Sequence, residues 1–180
     1  MNADKPSIAL AALERFYRTP LADELGRHLR ESPSAAALEL FYGVARDVPA
    51  YGEFLRAAGC EPASVRSVAD FTRVPPATKE TYHRRHPLGA LCRHGDLSAC
   101  DMLAVSSGST GEPAIWPRFV SDELGTAFRF EQVLRDAFGA HERRTLGVVC
   151  FALGSWVGVM YTKACLRHLA AKGYPLTLVT

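Results

Sequence analysis

From Thr145 to Phe151 the chain reads Thr-Leu-Gly-Val-Val-Cys-Phe, an uncharged run rich in β-branched residues, and a second apolar run follows from Leu176 to Val179. An uninterrupted apolar run of this kind is what a strand buried on both faces requires. Between the two, Gly154-Ser155 can turn the chain into a helix from about Trp156 to Lys172, which Gly173 would end. Strand, helix and strand of these lengths predict a right-handed parallel crossover, so the class is α/β. A parallel sheet needs neighbouring strands and helical cover, so the sheet is expected to continue past Thr180 in a longer protein.

The same region must be tested as a membrane span, because Thr145 to Thr162 carries no charge. A span needs about 20 mostly apolar residues, whereas Gly147, Gly154, Ser155 and Gly158 interrupt this one. Strand, turn and helix is the reading adopted.

The N-terminal third reads as helical. Ser7 is placed as the cap of a helix through Ile8, Leu10, Ala11, Leu13 and Phe16, which Pro20 stops. A second helix runs from Leu21 to Arg30. A third is capped by Ser34 and carries Leu38, Phe41, Val44 and Ala45 on one face. Pro49 opens a fourth, with Tyr51, Phe54 and Leu55, that closes at Gly59. Phe16, Tyr17, Phe41 and Tyr42 are assigned to core or interface. The domain division expected is a helical region over residues 1–60 and an α/β region over 61–180.

From Cys60 to Cys100, Pro62, Pro75, Pro76 and Pro87 break any long element, and Asp70 and Thr78 are candidate caps of short turns. The basic run Lys79, His83, Arg84, Arg85, His86, Arg93 and His94 could meet phosphates, but solvated helix ends explain it as well. No aromatic interleaving or groove-reading motif points to nucleic acid. A formal charge of +2 gives no global attraction to nucleic acid or an anionic membrane. Five widely spaced cysteines without a Cys-x-x-Cys pair suit a reducing cytoplasm, and the first residues lack the pattern of a secretory signal. His141 and His168 have no partner at triad or metal spacing and are read as surface or packing residues.

The stretch with most chemical content is Ser106-Ser107-Gly108-Ser109-Thr110-Gly111-Glu112-Pro113. Gly108 and Gly111 allow close backbone approach to a ligand, while the hydroxyls add short donors beside exposed amides. Such loops grip phosphate oxygens. A strand, Met102 to Val105, leads in, and Ala114-Ile115-Trp116-Pro117 leads out; Ser121 or Asp122 then caps a helix from about Glu123 to Phe138, ended by Gly139. The stretch is not a Walker A loop, which needs Gly-Lys-Ser/Thr, nor a Gly-x-Gly-x-x-Gly fingerprint, nor a Gly-x-Ser-x-Gly elbow.

At every defined position the stretch resembles the signature loop of the adenylate-forming enzymes, Ser/Thr-Ser-Gly-Ser/Thr-Thr-Gly-x-Pro. Val48-Pro49-Ala50-Tyr51, Phe54 to Gly59, Val68-Ala69-Asp70-Phe71 and Val74 to Lys79 resemble lead-in features of the phenylacetate–coenzyme A ligase branch, so that the likeness spans about residue 38 onward. The resemblance implies an incomplete part of that family's large α/β domain, a helical N-terminal region followed by a parallel-type sheet with crossover helices. Its implied activity is ATP-dependent activation of a carboxylic acid as an acyl-adenylate, then transfer to a thiol. ATP, Mg2+ and coenzyme A (or a carrier-protein thiol) are the implied cofactors and partners, with an aromatic or other apolar acid as substrate.

Carried over by position, Ser106, Ser107, Ser109 and Thr110 supply hydroxyls to the ATP phosphates, and Gly108 and Gly111 the close backbone. Gly154, Ser155 and Trp156 resemble the segment lining the acyl pocket. Ala114 stands where many members outside the branch have lysine, so no cation reaches the phosphates from there, and Glu112 is expected to point outward. The family's catalytic residues are expected beyond Thr180, and residues 1–180 alone are expected to be inactive. Neither a nucleic-acid nor a membrane partner is expected; a second copy of the chain is a candidate partner. The alternative is a non-catalytic relative serving as a binding or assembly module.

Overall fold

A computed structural model describes residues 5–98, 100–106, 113–150 and 157–179. It is mixed α/β and mostly helical. The chain gathers into two compact units, Met1–Gly26 with Ala99–Thr180, and Arg27–Ser98. Chain order alone does not show this division, because the first helix packs with the C-terminal half.

In the unit of residues 27–98, α3 (Pro33–Asp47) packs on α4 (Pro49–Ala57). Ser32 caps α3, its hydroxyl accepting from Ala35 N at 3.3 Å, whereas Ser34 had been expected there. Proline lacks an N–H and favours the first helical position, so Pro33 hands the cap to the residue before it. Gly59 takes φ +66° just past α4, a conformation glycine adopts without strain. Phe41, Leu55 and Val65 form the core of this unit. Tyr42, expected in core or interface, is partly exposed and donates its hydroxyl to Val65 O. Beyond α4 the prolines leave short 3-10 turns, of which Val68–Arg73 is tied by Asp70 accepting from Arg66 N and Ser67 N, both at 2.9 Å.

The other unit holds α1 (Lys5–Arg18), the start of α2 (Leu21–Arg30), α5 (Val120–Phe138), α6 (Val157–Ala171) and two separate two-stranded sheets. Ser7 lies inside α1 and does not begin it. Phe16, fully buried, meets Phe128 edge-on at 4.9 Å, and Leu124, Cys165, Leu169 and Leu176 complete the core. Tyr17, one residue on, is partly exposed. α5 begins at Val120 after Phe119, three residues before the expected start, and Gly139 at φ +59° ends it.

β3 (Thr145–Val148) pairs in parallel with β4 (Leu176–Val179), joined through α6, as the apolar runs predict. Only one face is covered. Gly147 and Leu176 lie against Leu166 of α6, while Leu146 and Val148 are 63% and 57% exposed, so β3 is not buried on both faces as expected. β1 (Met102–Val105) and β2 (Ile115–Arg118) form an antiparallel pair of their own, which corrects the placing of all strands in one parallel-type sheet. Among the described residues, no helix is long and apolar enough to cross a membrane.

Candidate functional site

Two strands of four residues bring the ends of the Ser/Gly stretch together. Val105 pairs with Ile115, Ala104 with Trp116, Leu103 with Pro117 and Met102 with Arg118. Proline is tolerated in β2 because a two-stranded ladder leaves one side of each strand unpaired. Beyond the last pair, Ser106 N donates to Ala114 O at 2.9 Å, and Ala114 N donates to Ser106 Oγ at 2.9 Å. Ser106 therefore closes the neck of the stretch with backbone and side chain together. Its hydroxyl is already an acceptor for Ala114, and only its own O–H remains to donate.

Ser107, Gly108, Ser109, Thr110 and Gly111, with Glu112, lie outside the described residues, as do the pocket candidates Gly154, Ser155 and Trp156. Of the six loop positions singled out by sequence, the structure describes Ser106 alone.

At the other end of the hairpin, Asp101 N donates to Arg118 O at 2.9 Å, extending the ladder by one bond. Asp101 Oδ2 then accepts from Val120 N at 2.7 Å, and its Oδ1 lies 3.1 Å from Lys5 Nζ. Phe119 precedes α5 and offers no capping side chain, so Asp101 supplies the carboxylate from the neighbouring strand end. Sequence inspection names Ser121 or Asp122 because it looks only within a few residues. Asp122 instead is exposed as a residue, and desolvation of its carboxyl raises it above the ordinary range against the lowering influence of Arg118.

His168, read from the sequence as a surface or packing residue, packs against the rings of Phe16 and Tyr17 and has polar partners as well. Its Nε2 is 2.6 Å from Glu123 Oε1 and its Nδ1 2.8 Å from the Tyr17 hydroxyl, joining α1, α5 and α6. A carboxylate only accepts, so Nε2 carries the proton; in neutral imidazole Nδ1 then accepts from Tyr17. Burial, and secondly the charge of Glu123, raise the Tyr17 hydroxyl above its ordinary range. Partners 151 and 45 residues away leave no local signal in the sequence.

The basic run is largely occupied within its own unit. Arg84 lies 3.6 Å from Glu80, His86 3.8 Å from Glu53, and Arg93 2.9 Å from Asp47. Exposed pairs of this kind add little to stability. Among the described residues, no group of three or more His, Cys, Asp and Glu side chains is placed to hold a metal ion. The five cysteines are all free thiols.

No model of a known protein family matches the chain, and no curated protein matches it either.

Proposed function

We propose that the chain is the N-terminal part of an ATP-dependent carboxylate-activating ligase of the adenylate-forming type, acting in the cytoplasm. One observation carries the reading. The Ser106 to Pro113 stretch is flanked by two paired strands, and the Ser106–Ala114 bonds hold its ends at a fixed neck. A short loop on a rigid base is the setting in which converging hydroxyls and amides can hold phosphate oxygens in line for attack.

The reading assigns the β- and γ-phosphates of ATP, with Mg2+, to Ser106, Ser107, Gly108, Ser109, Thr110 and Gly111. Ser106 takes part through its remaining O–H. Bound ATP supplies the phosphoryl electrophile; the loop orients it and moves no proton. An aromatic or other apolar acid is assigned to Gly154, Ser155 and Trp156, and coenzyme A or a carrier thiol is the acceptor.

A second reading, a non-catalytic relative acting as an assembly module, draws on the exposed apolar face of β3 and β4, where Leu146, Val148 and Val179 are uncovered. Acid-dependent exchange of labelled pyrophosphate into ATP separates the two. Exchange is expected from protein that continues past Thr180 and not from residues 1–180 alone. Exchange by neither, across a panel of aromatic and aliphatic acids, would leave the assembly reading in its place.

A further inference from the structure

At the end of β2, Arg118 lays its guanidinium over the ring of Tyr161 on α6, Cζ lying 4.9 Å from the ring centroid. Two atoms of this stack, Arg118 Nε and the Tyr161 hydroxyl, are buried without a hydrogen-bond partner among the described residues. Buried donors in folded proteins are nearly always paired, with protein, water or a ligand. The neighbouring core follows that rule, since Lys172 donates to Glu131 and Thr19 O, and Tyr174 to Glu131.

Both orphaned groups can donate, Arg118 Nε only donating and the Tyr161 hydroxyl able to accept as well. A guanidinium has no acceptor and a phenol has one O–H to give, so what the pair lacks is an acceptor. Asp122 and Glu123 stand nearby in the first turn of α5, close enough to act on the Tyr161 hydroxyl. Glu123 is engaged by His168 at 2.6 Å. Asp122 feels the Arg118 charge, yet among the described residues no hydrogen bond joins them. Arg118 as a residue is only partly buried, so part of its side chain reaches solvent although Nε itself does not.

We propose that Arg118 and Tyr161 form an oxyanion subsite that takes one carboxylate or phosphoryl group of a small molecule, with guanidinium and phenol donating together. The planar guanidinium matches such groups in two-pronged geometry, and its stack on the ring fixes the plane before the anion arrives. Asp122 is the competing negative charge that keeps binding reversible. The subsite goes beyond the ligase reading and does not depend on it, because nothing in it requires the Ser106 to Gly111 stretch to bind ATP.

Side-chain Nε–H resonances of the 15N-labelled chain test this at the atom concerned. Sodium phosphate and sodium acetate are titrated separately at constant ionic strength, with sodium chloride as reference, and Arg118→Lys identifies the resonance by its loss. The Arg118 Nε–H is expected to shift saturably with phosphate or acetate and not with chloride. The stronger of the two responses says whether a phosphorylated compound or an organic acid is the natural source. Tyr161→Phe, which keeps the ring, weakens binding by about threefold to tenfold, and Asp122→Asn tightens it by a similar factor. Absence of a saturable shift with either anion assigns the two atoms to a trapped water and overturns the proposal. A Tyr161→Phe titration identical to that of the wild type overturns it too.

Discussion

Lys172 Nζ lies 2.7 Å from Glu131 Oε2 in the interior of one unit, their side chains only 10% and 4% exposed. The ammonium also donates to Thr19 O at 3.1 Å and sits over the rings of Phe16 and Phe128, at 4.5 and 4.8 Å. Tyr174 donates to the other carboxylate oxygen at 3.1 Å. One pair thus links α1, α5 and the turn that follows α6 through a charge that none of them could bury alone.

Removing one member strands the other. Lys172→Met or Glu131→Leu singly is expected to cost about 3–5 kcal/mol, whereas the two together should recover most of the loss because no unpaired charge remains. Urea unfolding followed by circular dichroism measures all three. Single variants whose effects simply add in the double would contradict the coupling.

Stability should fall on the alkaline side. Burial, and secondly the Glu123 carboxylate, push the Cys165 thiol up to about 12; burial and Glu131 do the same to Tyr174, also to about 12. Burial raises Tyr161 to about 12 despite the nearby Arg118. In each case the folded chain keeps a proton that the unfolded chain releases, so this stabilisation is complete below the ordinary values of 9.0 and 10.0 and is lost as pH rises through about 12. The urea midpoint is expected to be flat to about pH 9 and then to decline, less steeply in Tyr161→Phe. A midpoint constant to about pH 11 would contradict the assignment.

Asp101 ties the β1–β2 hairpin to α5 by accepting from Val120 N at 2.7 Å. Asp101→Ala is expected to cost about 1 kcal/mol, and to speed hydrogen exchange at amides of the first turn of α5 by about fivefold. Asp101→Asn keeps a capping oxygen and loses only the pair with Lys5, a change of less than about 1 kcal/mol. Equal protection of those amides in wild type and Asp101→Ala would show that Val120 N does not need this partner.

Features encoded within a few residues could be read from the sequence. α2 has the bounds Leu21–Arg30 that its pattern predicts, β4 the bounds Leu176–Val179, and α5 the glycine stop at Gly139. Caps one step less local were missed, as Ser32 and Asp101 show. β3 was expected to be buried on both faces because a run of apolar residues states preference and not supply; α6 covers one face, and Leu146 lies on the other. Lys172 with Glu131, and His168 with Tyr17 and Glu123, depend on how helices distant in sequence come together, and no spacing rule reaches them. At the candidate loop, the strands on either side and the antiparallel neck are described, but residues 107–112 are not. The two strands were read from their short apolar runs, but their antiparallel pairing with each other and the second bond at Ser106 Oγ were not.

The most direct measurement of the central claim is a titration of the 15N-labelled chain with pyrophosphate in magnesium chloride, following the amide resonances of Gly108 and Gly111. Saturable shifts at both glycines are predicted, weakened by about tenfold in Ser109→Ala with Thr110→Ala and unaffected by Arg118→Lys. Glycine resonances that stay in place, or a double variant that binds as well as the wild type, would contradict a phosphate-gripping loop.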